Sequence, residues 1–481
     1  MPSKRTIISS LIWKFLERIG TQFVQFVVSI VLARILAPEE FGLIAIITIF
    51  IAIANVFVQS GLNTALIQKK DADDLDFSSV FYASFIIASI VYALLFFTSP
   101  LIANFYNNDR LIPVIRVLAL SLFIGAINSI QLAYISRNMM FKKLFIRSIG
   151  AIIPSGVIGI ILAACGFGVW ALVTQQLTNS LLAVAVMWFT VPWRPKLSFS
   201  FQRLKGLFAF GWKLLCSSLL DACYHNIRGL IIGKIFTPAD LAFYNRGEHF
   251  PNLAVNNINN SIQSVMLPSL SAIQDDKTKV KGLMRKAIIT SSFLIAPMMA
   301  ILAATAKTLV LVLLGEKWLP CVPFIVIYCF IFCFYPIHTS NLSAINALGR
   351  SDIFLKLEII KKIYGVGLLI ASLLYFRTPV GIAIGAAFGT LISCFVNAHP
   401  NKKLLDYGYL EQIRDILPNL GLSLIAGACV YALGTLDTNI YLLFILQAIL
   451  GVIVYFGLAK LLHFKCLDYL IQTIKGYHHG R

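Results

Sequence analysis

The chain has 481 residues, of which 58% are hydrophobic and 13% are charged. Soluble domains average about 45–50% apolar and about 25% charged residues, so this composition excludes a soluble globular protein, a disordered chain and a disulfide-rich secreted scaffold. Lys and Arg number 40 against 21 Asp and Glu, which gives a net charge of +19. In a soluble protein that surplus would suggest nucleic-acid binding. In a membrane protein the positions of the basic residues instead indicate which connections lie in the cytoplasm.

Apolar runs long enough to cross a bilayer recur along the whole sequence. A membrane helix needs about 20 predominantly apolar residues, and a helix satisfies its own backbone polar groups in hydrocarbon. The sequence therefore predicts an all-α integral membrane protein with about 14 transmembrane helices. The predicted spans are 11–36, 41–67, 79–104, 111–135, 146–165, 168–190, 207–234, 239–270, 287–314, 321–347, 357–376, 380–398, 415–435 and 439–463.

Basic residues in the predicted connections are distributed unequally between the two sides of the membrane. Most of them lie on the side that holds both chain ends, and the opposite side receives only Arg34, Arg110, Lys234, Lys317 and Arg377. Because cytoplasmic loops are enriched in Lys and Arg, both termini are predicted to be cytoplasmic. The start of the chain carries no small-residue cleavage site, so we expect the first span to be retained. No nucleic-acid partner is expected.

Two segments of the sequence resemble each other. Residues 33–41 and 233–241 carry a basic residue, a proline and an acid in matching places, and residues 13–16 and 212–215 both begin with Trp-Lys. Each copy lies at the first two spans of a set of six. We therefore expect two repeat-related six-helix lobes in residues 1–200 and 201–400, related by an axis along the membrane normal. Residues 401–481 would add two helices and a cytoplasmic tail.

Polar side chains recur at helical spacing on the first, second, seventh and eighth predicted spans. Residues three or four apart share one helix face, and polar residues inside a membrane usually face a bundle interior or a water-filled cavity. We call each such row of polar side chains on one helix face a polar stripe. The four polar stripes are therefore predicted to line one shared cavity. The predicted substrate-binding residues are Arg18, Gln22, Gln25, Asn55, Gln59, Asn63, Arg228, Arg246, His249, Asn252 and Asn256.

Some of these polar groups also have a simpler interpretation. Lys14 can snorkel to the membrane surface, and Glu17 can neutralise Arg18 rather than bind a ligand. Arg246 and Glu248 begin their span, so an interfacial position is the alternative for them.

Other ionisable residues inside the spans fall into two groups. Asp221 and His225 lie one turn apart and are candidates for coupling transport to H⁺ or Na⁺, with a structural hydrogen bond as the alternative. Arg116, Lys307 and His338 are isolated, so we expect each to form hydrogen bonds between helices or to snorkel. No metal site and no other cofactor are predicted.

The sequence also resembles a known family. The resemblance extends over most of the chain up to the twelfth span and is carried by six short segments. The segments are 32–42, 61–68, 243–246, 267–271, 314–318 and 347–352. They are similar to the polysaccharide transporter (lipid-linked oligosaccharide flippase) family of the multidrug/oligosaccharidyl-lipid/polysaccharide (MOP) exporter superfamily. Within it, the branch of colanic-acid and teichuronic-acid exporters is the most similar.

That resemblance implies the MOP flippase fold and a transport function. The expected substrate is an undecaprenyl-diphosphate-linked oligosaccharide or polysaccharide repeat unit, a precursor of lipopolysaccharide, capsule or exopolysaccharide. It would cross the bacterial inner membrane by alternating access, and the polymerase and glycosyltransferases of the same pathway would be partners. The residues agree with this substrate, because Arg binds phosphate oxygens with several donors and Asn and Gln offer both donors and acceptors to sugars.

Two alternatives remain open from the sequence. A multidrug or cation antiporter of the same superfamily needs acids in the cavity, where cationic groups outnumber them. A membrane glycan polymerase or ligase needs a sizeable outer loop, whereas the predicted outer connections are short. Since the chain carries no catalytic motif of the common kinds, we expect it not to be an enzyme.

Overall fold

The computed structural model describes residues 4–59, 61–69, 71–138, 140–464, 466–468 and 472. Most of the predicted cytoplasmic tail lies outside these residues. The described part of the chain is largely helical and contains no β-strand.

Helices follow one another with short connections throughout the described residues. In the N-terminal half they are α1 (Lys4–Ile35), α2 (Pro38–Gln59), α3 (Leu62–Gln68), α4 (Asp74–Tyr106), α5 (Leu111–Leu118), α6 (Ser121–Arg137), α7 (Phe141–Ala164), α8 (Val169–Thr190) and α9 (Phe201–Ile235). They continue with α10 (Pro238–Ser271), α11 (Lys277–Ala304), α12 (Ala306–Leu313), a 3₁₀ helix (Glu316–Cys321), α13 (Val322–Cys333), α14 (Tyr335–Ala347), α15 (Ser351–Phe376), α16 (Pro379–Leu405), α17 (Tyr409–Leu433) and α18 (Ile440–Leu461).

Thirteen helical stretches of the described residues are long and apolar enough to cross a membrane. They overlap thirteen of the fourteen predicted spans, and the chain is a multi-pass membrane protein. The span predicted at 287–314 is shifted, because its helical stretch is Lys277–Ala304 and α12 follows as a separate helix. The remaining predicted span, 239–270, is helix α10. With 34 residues it is long enough to cross, at about 1.5 Å per residue against a hydrocarbon core of about 30 Å. Its many Asn and other polar side chains keep it below the same hydropathy criterion.

The second predicted span, 41–67, is not one helix, which is a correction to the polar stripe assigned to it. The chain breaks after α2 at Gly61, whose φ is +66°. A Cβ at this position would lie 2.4 Å from the carbonyl oxygen of Gly211 on α9. Glycine alone tolerates both that backbone conformation and that approach. Asn63 therefore belongs to α3, whereas Asn55 and Gln59 belong to α2.

Packing divides the chain into two compact units, Met1–Ala242 and Phe243–Arg481. In the first unit α7 packs along α1 and α8, and α9 packs against α2, α3 and α4. In the second unit α11 packs against α13, α14 and α17, and α15 packs against α16. The lobe boundaries at residues 200 and 400 stay a prediction from the internal repeat.

Small residues set how closely α9 approaches α2 in the first unit. A Cβ on Gly229 would lie 2.8 Å from the side chain of Ile49, and a Cβ on Gly233 would lie 3.0 Å from that of Ile46. Glycines let membrane helices approach until their backbones nearly touch. This crossing fixes α9 and leaves its opposite face open.

Charged residues tie together the ends of α3, α4 and α9. Asp73 caps α4 and its side chain accepts a hydrogen bond from the backbone N–H of Asp76, which lowers the pKa of the Asp73 carboxyl. The Asp76 side chain is fully buried and accepts a hydrogen bond from Lys69 at 2.7 Å. Arg203 of α9 lies 3.4 Å from the same carboxylate. A buried carboxylate is stable only when it is paired in this way.

Candidate functional site

The polar stripe of α1 lies on a surface that the first unit leaves open. Arg18 and Gln25 are exposed, and Gln22 is half-buried. The adjacent face of the helix packs on α7, where Glu17 accepts a hydrogen bond from the Ser148 hydroxyl at 2.8 Å. The carboxylate of Glu17 is thus directed to α7 rather than to Arg18, which leaves the stripe predominantly cationic and amide in character.

The amides predicted on the second span have three different surroundings. Gln59 is exposed at the end of α2. Asn55 is half-buried and faces α6, because its Oδ1 lies 3.2 Å from where a Cβ of Gly125 would be. Asn63 on α3 has a buried Oδ1 for which the described residues provide no hydrogen-bond partner. These three residues therefore do not form one continuous stripe.

Helix α9 presents the third predicted stripe. Asp221 and His225 are exposed one turn apart, and Arg228 is half-buried on the same side of the helix. The ring of Tyr224 lies 6.1 Å from that of His225. Because the glycines of α9 pack on α2, the first unit leaves this polar face accessible. No group of three or more His, Cys, Asp or Glu side chains that could hold a metal ion is found among the described residues.

Helix α10 carries the fourth stripe and belongs mainly to the second unit. The guanidinium of Arg246 lies 5.3 Å from the centroid of the buried Trp318 ring, a cation–π contact that anchors it. His249 is exposed. The Asn256 amide donates a hydrogen bond to the side-chain oxygen of Asn252 one turn earlier. This contact holds the Arg246 side chain against Trp318, and both its binding role and its interfacial alternative stay predictions.

Most of the predicted site residues thus lie on accessible or half-accessible helix faces. Arg18 and Arg228 belong to the first unit, whereas Arg246 and His249 belong to the second. The cavity that would join them stays a prediction, as do their binding roles.

Sequence reasoning missed a polar pocket in the second unit, between α10, α14 and the first turn of α15. Its volume is about 560 Å³. Six side chains that line it are amides or hydroxyls, namely Asn260, Gln263, Ser264, Thr339, Ser343 and Asn346. Thr339, Ser343 and Asn346 recur at helical spacing, which is the signal that the sequence did offer.

Sequence reasoning also missed a network of buried amides on the other side of α14. Asn341 donates a hydrogen bond to the Gln412 side chain at 2.7 Å, and Asn401 donates one to Asn341 at 2.7 Å. Asn341 and Asn401 are fully buried. The network fixes α14 against α16 and α17, and thus holds one wall of the pocket in place.

The isolated intramembrane residues confirm the expectation of bonds between helices in two cases. The Arg116 side chain donates to the Ser99 hydroxyl of α4 at 3.0 Å. A ring nitrogen of His338 lies 3.0 Å from the Asn397 amide nitrogen of α16. Lys307 is exposed, so its snorkelling stays a prediction.

Comparison with known proteins places this architecture in a family. Residues 31–323 match the family described as polysaccharide biosynthesis protein. The chain belongs to this family. Its match begins within α1 and extends to α13, so it includes the polar faces of α2, α9 and α10.

Several curated proteins are similar to this chain over most of its length. The lipopolysaccharide biosynthesis protein WzxC of Escherichia coli is 25% identical over 84% of this chain and 82% of its own length. The teichuronic acid biosynthesis protein TuaB of Bacillus subtilis is 26% identical over 85% of this chain and 84% of its own. The succinoglycan biosynthesis transport protein ExoT of Rhizobium meliloti is 24% identical over 65% of this chain. That match spans 64% of ExoT, slightly under two thirds.

Solved structures identify the fold of this family member. The lipid II flippase MurJ in an inward closed conformation superposes with a TM-score of 0.75 and 16% identity, and covers 96% of this chain and 100% of its own. An inward-facing multidrug resistance MATE transporter of the MOP superfamily has a TM-score of 0.61 and 14% identity, over 83% of this chain and 95% of its own. The predicted MOP flippase fold is confirmed.

Proposed function

We propose that this protein is a flippase for an undecaprenyl-diphosphate-linked oligosaccharide or polysaccharide repeat unit. One observation carries the proposal: in a member of a polysaccharide biosynthesis family, cationic and amide side chains occupy accessible faces of membrane-embedded helices. Polar residues at such depth are costly, and they mark substrate pathways.

Cationic and amide side chains on these faces suit the two parts of such a substrate. Arg18 and Arg228 offer planar guanidinium groups, which bind phosphate oxygens with two donors at once. Gln25 and Gln59 are exposed amides, which can donate to and accept from sugar hydroxyls. Without such groups the diphosphate would cross hydrocarbon at great cost, since even one charged side chain at the bilayer centre costs at least about 2.5–3.5 kcal/mol.

In this proposal, movement of the head group uses the two repeat-related lobes predicted from the sequence. The two lobes rock about a fixed site and open it to one side of the membrane at a time. The surplus of basic residues in the connections on one side supports cytoplasmic termini, and we propose that the protein lies in the inner membrane of a bacterial cell. Glycosyltransferases would supply the lipid-linked glycan, and a polysaccharide polymerase would use it after transport.

A coupling ion is part of this proposal. Asp221 and His225 are exposed on α9 close to Arg228, where binding of H⁺ or Na⁺ would change the local charge beside the substrate phosphates. Transport into proteoliposomes with imposed H⁺ or Na⁺ gradients tests this assignment. Dependence on one gradient that Asp221→Asn abolishes would support it, and transport indifferent to both gradients would contradict it.

Deletion of the gene tests the proposed transport function directly. We expect surface polysaccharide to disappear and a lipid-linked glycan to accumulate in the cytoplasmic leaflet, where an externally added glycosidase cannot reach it in intact spheroplasts. Expression of the intact protein should restore both. Normal surface polysaccharide with no accumulated intermediate would contradict the proposal.

An antiporter for drugs or cations is the second candidate, and the exposed Asp221 is the observation that favours it. Resistance to cationic drugs on overexpression, with glycan export unaffected by deletion, would establish it. A glycan polymerase or ligase is the candidate from another class. Glycosyl transfer by the purified protein would overturn our proposal that the protein is a transporter and not an enzyme.

A further inference from the structure

The polar pocket of the second unit has a lining without charged side chains. The residues that line it are Asn260, Gln263, Ser264, Leu267, Thr339, Leu342, Ser343, Asn346 and Phe354. This distinguishes it from the Arg-bearing faces of α1 and α9. A phosphate or carboxylate would find no cation among these side chains, so the pocket suits an uncharged ligand.

The three amide side chains of the pocket are available to a ligand, whereas the hydroxyls of Thr339 and Ser264 donate to protein acceptors. Among the described residues, no hydrogen bond joins the side chain of Asn260, Gln263 or Asn346 to another protein group, and all three side chains are exposed. Each amide presents donors and an acceptor close together, the combination that neighbouring hydroxyl or acetamido groups of a sugar require.

Apolar side chains complete the lining. Leu267, Leu342 and Phe354 contribute its hydrophobic part, which matches the C–H face that a pyranose ring presents between its hydroxyls. A volume of about 560 Å³ is far more than one ion needs and falls within the about 300–1,000 Å³ of small-molecule sites.

The wall formed by α14 is held in position independently of any ligand. Thr339 donates a hydrogen bond to the Asn259 side chain at 2.6 Å, which joins α14 to α10. On the opposite side of α14, Asn341 bonds to Gln412 of α17. A preorganised wall lowers the entropic cost of binding.

We infer that this pocket is a sugar-binding subsite that selects neutral hydroxyl and acetamido groups of the transported glycan. The inference rests on the proposed flippase function and deepens it, because it separates recognition of the glycan from recognition of the diphosphate. The pocket then sets which glycans are accepted, while the cationic faces bind the part that all lipid-linked glycans share.

Binding of defined probes to the purified full-length protein in detergent tests this inference. The probes are undecaprenyl diphosphate alone and the same lipid carrying glucose, galactose, N-acetylglucosamine or glucuronate. We expect at least one neutral sugar probe to bind about fivefold or more tighter than the bare lipid. The double variant Asn260→Leu with Asn346→Leu should lose that preference and bind the bare lipid as the unmodified protein does.

A control variant and three outcomes make the test decisive. Asn104→Leu makes the same chemical change at an exposed residue of α4 and should keep the preference. Equal binding of bare and sugar-bearing lipids by the unmodified protein, a preference that survives in the double variant, or tightest binding of glucuronate would each overturn the subsite. If no probe binds, bare lipid included, the proposed function itself fails.

Discussion

Gly42 on α2 lies against the backbone of Pro238, the first residue of α10. A Cβ at position 42 would be 1.8 Å from the Pro238 carbonyl oxygen. Both residues adjoin or belong to the two repeated segments, 33–41 and 233–241, so the repeated segments meet each other within the first unit. Backbone atoms cannot rotate away as a side chain can, which makes glycine a requirement at this position.

Gly42→Ala should therefore destabilise the protein by about 1–3 kcal/mol or more, the range for overpacking a tight contact. Thermal unfolding of the purified protein in detergent measures the effect as a lower midpoint. Gly367→Ala is the matched control, because a Cβ there would have no other side chain or packed helix within 4 Å. Alanine in that helix should be neutral or stabilising by about 0.5–1 kcal/mol. Equal midpoints for the two variants would refute the close contact.

The buried carboxylate of Asp76 should matter far more than its exposed neighbour Asp74. Asp76→Asn removes the partner of Lys69 and Arg203, and hydrogen bonds to charged groups contribute about 1.5–3 kcal/mol. Asp74 pairs with Lys196 at 2.6 Å, but both side chains are more than half exposed. Asp74→Asn should therefore cost at most about 1 kcal/mol. Thermal midpoints compare the two, and a larger loss for Asp74→Asn would contradict this account.

The buried amides around Asn341 should behave as a coupled unit. Asn341→Leu leaves the polar groups of Gln412 and Asn401 without their partner, at a cost of about 1–3 kcal/mol. Adding Gln412→Leu should cost much less than Gln412→Leu alone, because its partner is already absent. A double-mutant cycle on unfolding free energies measures this coupling. Strictly additive losses would show that the two side chains act independently.

Removal of the exposed Arg18 or the half-buried Arg228 should impair transport without impairing folding. Arg18→Ala and Arg228→Ala each remove donors for phosphate, so we expect affinity for a lipid-linked diphosphate to fall about tenfold or more. Surface polysaccharide should be lost while the amount of protein in the membrane is unchanged. Arg414→Ala, at another exposed Arg, is the control and should leave export intact. Full export by both first variants would remove Arg18 and Arg228 from the substrate site.

The sequence was most informative about membrane spans and about the helix faces that carry polar groups. Long apolar runs predict spans reliably because the bilayer demands them. Likewise, the spacing of Asp221, His225 and Arg228 predicted a face that the structure finds accessible in its unit. In α10 the recurring polar side chains lower the mean hydropathy below that of the other membrane spans, but the helix nevertheless forms.

Contacts between segments distant in the chain could not be predicted in this way. Helical periodicity assigned Asn55 and Asn63 to one face, but it does not distinguish a cavity from a neighbouring helix, and Asn55 faces Gly125 of α6. The break at Gly61 depends on the approach of Gly211, about which a single apolar run carries no information. The polar pocket needs Asn260 and Asn346 together, which the fold alone provides.

The amide-rich character of α10 has a consequence for biogenesis. A segment whose centre holds so many Asn side chains gains little free energy on leaving the translocon for lipid by itself. Its entry into the bilayer should therefore be assisted by the apolar segments synthesised just before and after it, which shield its amides as they emerge. Truncated nascent chains that stop at the end of this helix would be retained at the insertion machinery until α11 follows.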